Sequence, residues 1–105
     1  MLSTKLIKRM EIQQQQTNEN GEFFILDEQQ EKLAYMTYIM DDALTMRIEH
    51  TVVTDKLAGQ GIGKKLVQAG VLFARANHYK IVPECPYALA VFQKTPEYAE
   101  VWKQK

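Results

Sequence analysis

Residues 57 to 65 read Leu-Ala-Gly-Gln-Gly-Ile-Gly-Lys-Lys, and this stretch decides the fold because the hydrophobic pattern changes period across it. Before it, apolar and polar residues alternate as in β-strands. After it, apolar residues recur every three or four positions, as in an amphipathic helix. Alternate glycines let the backbone approach a ligand, and the first N–H groups of a helix have no partners within it. The segment therefore predicts an anion-binding loop, to which the two lysines add positive charge.

The segment after the loop predicts one long helix and a short strand. The helical period starts at Ile62 and ends near Asn77 and His78, where a histidine complements the negative end of the helix dipole. Gly70, inside the helix, predicts close approach to the sheet. The strand Lys80–Val82 follows a crossover helix, so it is expected to lie parallel to the strand before the loop.

The segment before the loop predicts an antiparallel meander of about four strands, because short turns join successive strands. The predicted strands are Lys5–Ile12, Glu22–Leu26, Leu33–Met40 and Leu44–Val53, and the glutamines at 13 to 16 are expected to form an exposed hairpin tip. Leu33–Met40 is apolar at both alternating sets of positions, which predicts a central strand that is covered on both faces.

The C-terminal segment predicts two short helices, because prolines at 86 and 96 occupy positions that suit the first turn of a helix. Together the patterns predict an α+β fold, with α and β mixed: an antiparallel meander, a central helix, a parallel fifth strand and short C-terminal helices. A chain of 105 residues with 46% hydrophobic residues fits a single domain spanning residues 1–105.

Composition narrows the function classes. Thirteen basic and thirteen acidic residues cancel, so the chain lacks the positive field expected of a nucleic-acid-binding protein. No apolar stretch is long enough to span a membrane, and the N-terminus does not resemble a signal peptide. The single cysteine excludes an internal disulfide and indicates a reducing, cytoplasmic compartment. One cysteine and two distant histidines give no metal-ligand spacing. For the oligomeric state, a monomer is expected.

Three phosphate-binding patterns compete for the glycine loop. In the P-loop pattern, Ala58 would occupy the place of the first glycine and Lys65 that of the hydroxyl that binds Mg²⁺. In the dinucleotide-binding pattern, Lys64 would occupy the place of the third glycine. Both patterns also need a parallel βαβ order, which the meander lacks. The remaining pattern is that of the GNAT N-acetyltransferases, Gln/Arg-x-x-Gly-x-Gly/Ala, which is met at its last three positions while Ala58 replaces the leading Gln/Arg.

Other segments strengthen this resemblance. The chain carries a His-Thr pair at 50 and 51, the Gly-x-Gly loop, the run Pro-Glu-Cys-Pro-Tyr at 83 to 87 and Thr-Pro-Glu-Tyr at 95 to 98. In this order they resemble the minimal, single-domain branch of the GNAT superfamily, over roughly positions 33 to 103. The resemblance implies transfer of an acetyl group from acetyl-CoA to an amine of a small molecule or a protein. A coenzyme-binding domain without turnover is the alternative, and a plain interaction domain is a third interpretation.

The resemblance also implies where the coenzyme binds. The strand ending at Val53 and the strand Lys80–Val82 would separate at their C-terminal ends and open a wedge for the pantetheine arm. Backbone groups of the first strand would bind that arm, and backbone N–H groups of the loop would bind the pyrophosphate. The implied cofactor-binding residues are Thr51, Val52, Val53, Gly59, Gln60, Gly61, Ile62, Gly63, Lys64 and Lys65.

Acetyl transfer needs a base, a group that polarises the carbonyl and an acid for the leaving thiolate. The N–H of Val52 or Val53 would polarise the carbonyl. Cys85 precedes Pro86 and is expected at a helix N-terminus, where the dipole favours a thiolate; it would form a transient acetyl-cysteine, make a simple contact or be an inert buried thiol. His50 lies on the apolar-facing parity of its strand, so it is a core histidine, the base or a partner for Cys85. Two tyrosines, at 87 and 98, are weaker candidates for the acid.

Overall fold

The computed structural model describes residues 11–103, and these form a five-stranded sheet with helices packed on it. The strands lie in sequence order, and the first four pair antiparallel while the fifth pairs parallel with the fourth, so the predicted meander and parallel fifth strand are confirmed. Their bounds are β1 Gln13–Gln16, β2 Asn20–Leu26, β3 Lys32–Asp42, β4 Thr45–Val53 and β5 Lys80–Pro83.

Two α-helices and two short 3-10 helices complete the described chain. Helix α1 spans Ile62–Asn77 and connects β4 to β5, and helix α2 spans Pro86–Lys94; the 3-10 helices are Asp55–Leu57 and Pro96–Val101. Helix α1 ends where predicted, because His78 adopts a left-handed conformation with φ of 61°. The last predicted helix exists, but as a 3-10 helix.

Helix α1 covers one face of the sheet. A Cβ atom placed on Gly70 would lie 2.9 Å from Cε of Met36, so glycine lets the helix approach the sheet as predicted. Met36, Met46 and Ile48 beneath it are fully buried. Helix α2 and the C-terminal 3-10 helix pack against α1, which places the hydrophobic core between this helical layer and the sheet.

The opposite face of the sheet differs from the prediction that β3 is covered on both faces. Alternate residues of β3 on the helix side, such as Met36 and Tyr38, are buried, whereas Tyr35, Thr37 and Ile39 between them are only partly buried. We call the face that carries Tyr35, Thr37 and Ile39 the open face. The prediction was wrong because apolar residues at both parities do not by themselves require a second covering layer.

The glutamine run is an edge strand, so its prediction as a hairpin tip was wrong. Gln14 Nε2 donates to the hydroxyl of Tyr38 at 2.9 Å, and that hydroxyl donates to Gln16 Oε1 at 2.9 Å. The two glutamines therefore satisfy a polar group that belongs to a buried side chain. Of the strand predicted at Lys5–Ile12, residues 5–10 lie outside the described chain.

Strand β4 contains a β-bulge at Glu49. Tyr38 pairs with Ile48 and Thr37 pairs with His50, which leaves Glu49 as the extra residue. One extra residue reverses which side chains face the helices. Before the bulge Met46 and Ile48 are buried, as predicted, whereas Leu44, predicted on the same face, lies outside the strand and is exposed. After the bulge His50 and Val52 are exposed.

Candidate functional site

Strands β4 and β5 separate just beyond the bulge. Their pairing runs from Thr45 to Ile48 and ends where Ile48 meets Pro83. The backbone N–H groups of Glu84 and Cys85 then both donate to the carbonyl oxygen of Ile48, at 3.1 and 3.0 Å, and the chain enters helix α2. The edge of β4 after the bulge therefore faces a wedge instead of a neighbouring strand.

The direction of the backbone groups along β4 identifies which residues face the wedge. The N–H of Thr54 donates to the carbonyl of Leu33 on β3 at 3.0 Å. Because backbone groups of successive residues in a strand point to opposite edges, those of Val52 also point to β3, whereas those of Thr51 and Val53 point into the wedge. A cavity of about 440 Å³ extends from there to the loop, lined by Thr51, Val53, Leu57, Ala58, Gly59, Gly61, Ile62, Gly63 and Tyr87.

The glycine loop is shaped to hold an anion. Gly59 and Gly61 have φ of 80° and 71°, and a Cβ atom on either would meet no atom within 4 Å, so both border free space. The N–H of Gln60 donates to Leu57 at 3.4 Å and that of Lys65 to Gly61 at 3.2 Å. The backbone N–H groups at positions 61 to 64 precede the first intrahelical hydrogen bond and are the donors available to a phosphate.

Cys85 lies at the inner end of the wedge, at the N-terminus of helix α2 and directly before Pro86. Its Sγ contacts Thr51 Oγ1 at 3.5 Å. Burial raises the pKa of the thiol, but hydrogen bonds from the backbone of Ala88, the Thr51 hydroxyl and the backbone of Tyr87 outweigh it, so the pKa is lowered overall. The site therefore favours the thiolate more than water does.

The carboxylate of Glu84, next to Cys85 in sequence, is bound by an arginine. Arg47 Nη1 lies 2.9 Å from Glu84 Oε2, and Arg47 Nη2 lies 2.7 Å from Asp41 Oδ2. The ion pair with Arg47 balances the negative charge of Glu84. Together, the two ion pairs of Arg47, which lies on β4, link the end of β3 to the end of β5. Arg47 thus supports the closed end of the wedge.

Comparison with known proteins places this geometry in a family. The model of the GCN5-related N-acetyl-transferase family matches residues 22–101. A GCN5-like candidate N-acetyltransferase from Staphylococcus aureus, solved by NMR, is 38% identical to this chain and superposes with a TM-score of 0.73; the match covers 92% of this chain and 91% of the other. The chain belongs to the GCN5-related N-acetyltransferase family. No curated protein matches the sequence significantly.

More distant members of the GCN5-related family share the fold. A GNAT family acetyltransferase from Elizabethkingia anophelis, solved with acetyl-CoA bound, is 23% identical with a TM-score of 0.55, and the match covers 72% of this chain and 52% of that one. YhbS from Escherichia coli, solved in complex with CoA, is 18% identical with a TM-score of 0.52, covering 58% of this chain and 37% of the other. At these identities the likeness concerns the fold alone.

His50 does not lie where the sequence predicted. It is exposed, on the open face, because the bulge at Glu49 reverses the parity of β4. It lines a hollow of about 660 Å³ that is separate from the wedge cavity. The structure therefore does not bring His50 and Cys85 together, and the side chain that contacts the thiol is that of Thr51.

Tyr87, one of the two tyrosines that the sequence offers as the acid, lines the wedge cavity. A Cβ atom on Gly63 would lie 2.7 Å from Tyr87 Oη, so the phenol packs directly on the first turn of helix α1. Burial raises the pKa of Tyr87, which keeps the phenol protonated at neutral pH. The other candidate acid, Tyr98, packs against Phe92 with its ring tilted, at 5.6 Å between ring centroids, and does not line the wedge cavity. The sequence does carry a signal for this placement, because Tyr87 follows Pro86 in the first turn of helix α2, next to Cys85.

Two further findings concern residues 11–103 alone. No cluster of three or more histidine, cysteine, aspartate or glutamate side chains in this range could hold a metal ion. No helix in it has the length and apolar character needed to cross a membrane.

Proposed function

We propose that this chain transfers an acetyl group from acetyl-CoA to a primary amine, with the coenzyme lying in the wedge between β4 and β5. The observation that carries the proposal is a single cavity that joins the unpaired edge of β4 to the glycine loop. Strand edges bind extended chains through backbone groups, and helix N-termini bind phosphates. A pantetheine arm joined to a pyrophosphate has both features in that order.

The coenzyme-binding residues divide into three groups in this proposal. Backbone groups of Thr51 and Val53 hydrogen-bond the pantetheine arm. The backbone of Val52 pairs with β3 and so holds this part of β4 in place. The N–H groups of Gly61, Ile62, Gly63 and Lys64 bind the pyrophosphate, and Gly59 leaves room for it. The exposed side chains of Gln60, Lys64 and Lys65 add hydrogen bonds and positive charge, which compensates for Ala58 in place of the usual Gln/Arg.

Groups that line the wedge can carry out the acetyl transfer. The amine nitrogen forms a bond to the acetyl carbon, the carbon–sulfur bond breaks, and the amine gives up one proton while the thiolate of the coenzyme takes one. The N–H of Thr51 or Val53 polarises the carbonyl, since these are the groups of β4 that point into the wedge. Tyr87, protonated and at the same cavity, supplies the proton to the leaving thiolate.

Cys85 offers a two-step route. Its thiolate attacks the acetyl carbon, the coenzyme leaves as its own thiolate, and the amine then takes the acetyl group from Cys85. The lowered pKa and the contact with Thr51 support this route. Intact mass after incubation with acetyl-CoA tests it: we expect a gain of one acetyl group that Cys85→Ala abolishes, and full amine acetylation by Cys85→Ala would leave direct transfer as the mechanism.

A coenzyme-binding domain without turnover is the second candidate, because Ala58 replaces a side chain that the family pattern places at the phosphates. Titration with coenzyme A, followed by backbone amide shifts, separates the candidates. Shifts at positions 61–64 together with release of free thiol from acetyl-CoA in the presence of an amine panel support the enzyme. Shifts without release support the binding domain, and the absence of shifts at the loop contradicts both.

The proposal also includes a single domain over residues 1–105, a monomeric state and a cytoplasmic location. The single cysteine supports the cytoplasmic location.

A further inference from the structure

The hollow on the open face is built across four strands in register. Gln15 pairs with Glu22, Glu22 with Thr37, and Thr37 with His50, so these four residues form one row across the sheet. Strands are spaced by about 4.8 Å, so the row is about 14 Å long. With about 660 Å³ of free space, the hollow has the size of a small-molecule site.

Thr37, in the middle of this row, has an unsatisfied polar group. Among the described residues no atom hydrogen-bonds its side-chain oxygen Oγ1, although that atom is buried. A buried hydroxyl without a partner is unfavourable, and such groups in folded proteins call for an explanation. Rotation of the Thr37 side chain about χ1 would turn this hydroxyl into the hollow, where a ligand would supply the missing hydrogen bond.

The hollow also has polar walls, beside apolar surface from Tyr38 and Ile39, and it carries negative charge. Glu22 is bound by Lys32 at 2.6 Å, whereas no ion pair to Glu49 exists within residues 11–103. Carboxamide and hydroxyl groups line the rim, from Gln15, Gln16, Thr17 and Asn20. This set fits a positively charged group at the Glu49 end and hydroxyl or amide groups along the rest.

The hollow adjoins the wedge at the bulge of β4. Glu49 and His50 line the hollow, and the next residue, Thr51, contacts Cys85 in the wedge. A molecule in the hollow therefore has its Glu49 end closest to the proposed acetyl group. His50 stands at that end, and its imidazole can take the proton that an ammonium group must lose before it attacks.

We propose that the hollow on the open face binds the acetyl acceptor, and that the acceptor is a small, positively charged amine that carries several hydroxyl groups. Its amine lies between Glu49 and His50, and its hydroxyl groups reach Thr37 and the carboxamides of β1. This inference rests on the proposed acetyltransferase function for the reaction, but the binding of the amine can be measured without the coenzyme.

Glucosamine is the probe, and backbone amide shifts of the protein are the measurement. N-acetylglucosamine has the same hydroxyl groups without the charge, and n-hexylamine has the charge without the hydroxyl groups. We expect glucosamine to shift the amides of Glu22, Thr37 and His50 and to bind more tightly than either control. Equal binding of all three, or shifts confined to other parts of the protein, would overturn the proposal.

Two substitutions locate the binding groups. Thr37→Val keeps the shape of a side chain whose hydroxyl is unpaired, so folding is unaffected, and it should weaken glucosamine binding about 3- to 10-fold, as loss of one neutral hydrogen bond does. Glu49→Gln should weaken glucosamine binding and leave that of N-acetylglucosamine unchanged. Glu97→Gln, an exposed change on the C-terminal 3-10 helix, is the matched control. Wild-type affinity in both hollow variants contradicts the inference.

The order of titrations separates this inference from the proposed function. Coenzyme A is added first and followed at positions 61–64, and the amine is then added to the coenzyme-bound and to the free protein. Failure of coenzyme binding with specific amine binding counts against the acetyltransferase proposal alone. Coenzyme binding without amine binding counts against the hollow alone. Tighter binding of a lysine-containing peptide than of glucosamine would contradict the small-molecule class.

Discussion

The two halves of β4 have opposite roles although they are consecutive in one strand. From Thr45 to Ile48 the strand is paired on both edges, and Met46 and Ile48 are fully buried. After the unpaired Glu49, from His50 to Val53, it is paired with β3 alone, its other edge faces the wedge, and Val52 is 38% exposed. One inserted residue at the bulge separates the half that holds the sheet together from the half that can bind a ligand.

Deleting Glu49 should have the largest effect, because it removes the bulge on which this difference depends. His50 and Val52 would then point to the helix side, and burying an imidazole there is unfavourable. We expect a loss of about 3 to 5 kcal/mol in the free energy of unfolding and no measurable coenzyme binding. Urea unfolding and a coenzyme titration measure both, and Glu49→Ala, which keeps the residue count, is the control. A deletion variant that binds coenzyme normally would show that the bulge does not create the site.

A matched pair of truncations should show the difference in stability between the halves. Ile48→Ala removes a fully buried side chain and is expected to cost about 2 to 5 kcal/mol. Val52→Ala removes a partly exposed one and should cost less than about 1 kcal/mol. The urea midpoints of the two variants give the comparison, and equal losses would mean that both halves are structural.

Thr51→Val should have the smallest effect, visible as a shift in the pH dependence of Cys85 alkylation. The thiolate is the species that reacts, and the lowered pKa of Cys85 means that iodoacetamide reacts at half its maximal rate at a lower pH than with a free cysteine. Removing the Thr51 hydroxyl removes a hydrogen bond that stabilises the thiolate. The half-maximal pH should therefore rise, with stability little changed; an unchanged profile would assign the low pKa to the backbone of helix α2 alone.

Periodicity in the sequence was sufficient to predict helix α1, its end at His78 and the parallel strand β5, because helix and strand patterns differ in period and crossovers constrain topology. The bulge could not be seen, since Glu49 fits the alternation of an unbroken strand. His50 was therefore placed on the wrong face. The position of Cys85 at a helix N-terminus was predictable because Pro86 follows it.

The edge strand and the open face depended on tertiary structure that periodicity does not report. Glutamine is compatible with a strand or a loop, and its role here depends on Tyr38, which is distant in sequence and needs partners for its hydroxyl. The hollow likewise combines Gln15, Glu22, Thr37 and His50, which come together only through the register of four strands. No local sequence pattern predicts that these four residues form a row.

The composition of β1 has a consequence for how the gene can vary. All four residues of β1 are glutamines, so an added glutamine codon moves the upstream sequence by one place and still leaves glutamine at every paired position of the strand. The loss of one codon leaves glutamine at the positions of Gln14 and Gln16, which hold Tyr38. Replication slippage in a codon repeat at this site would therefore change the length of the protein while conserving the hydrogen bonds between its edge strand and Tyr38.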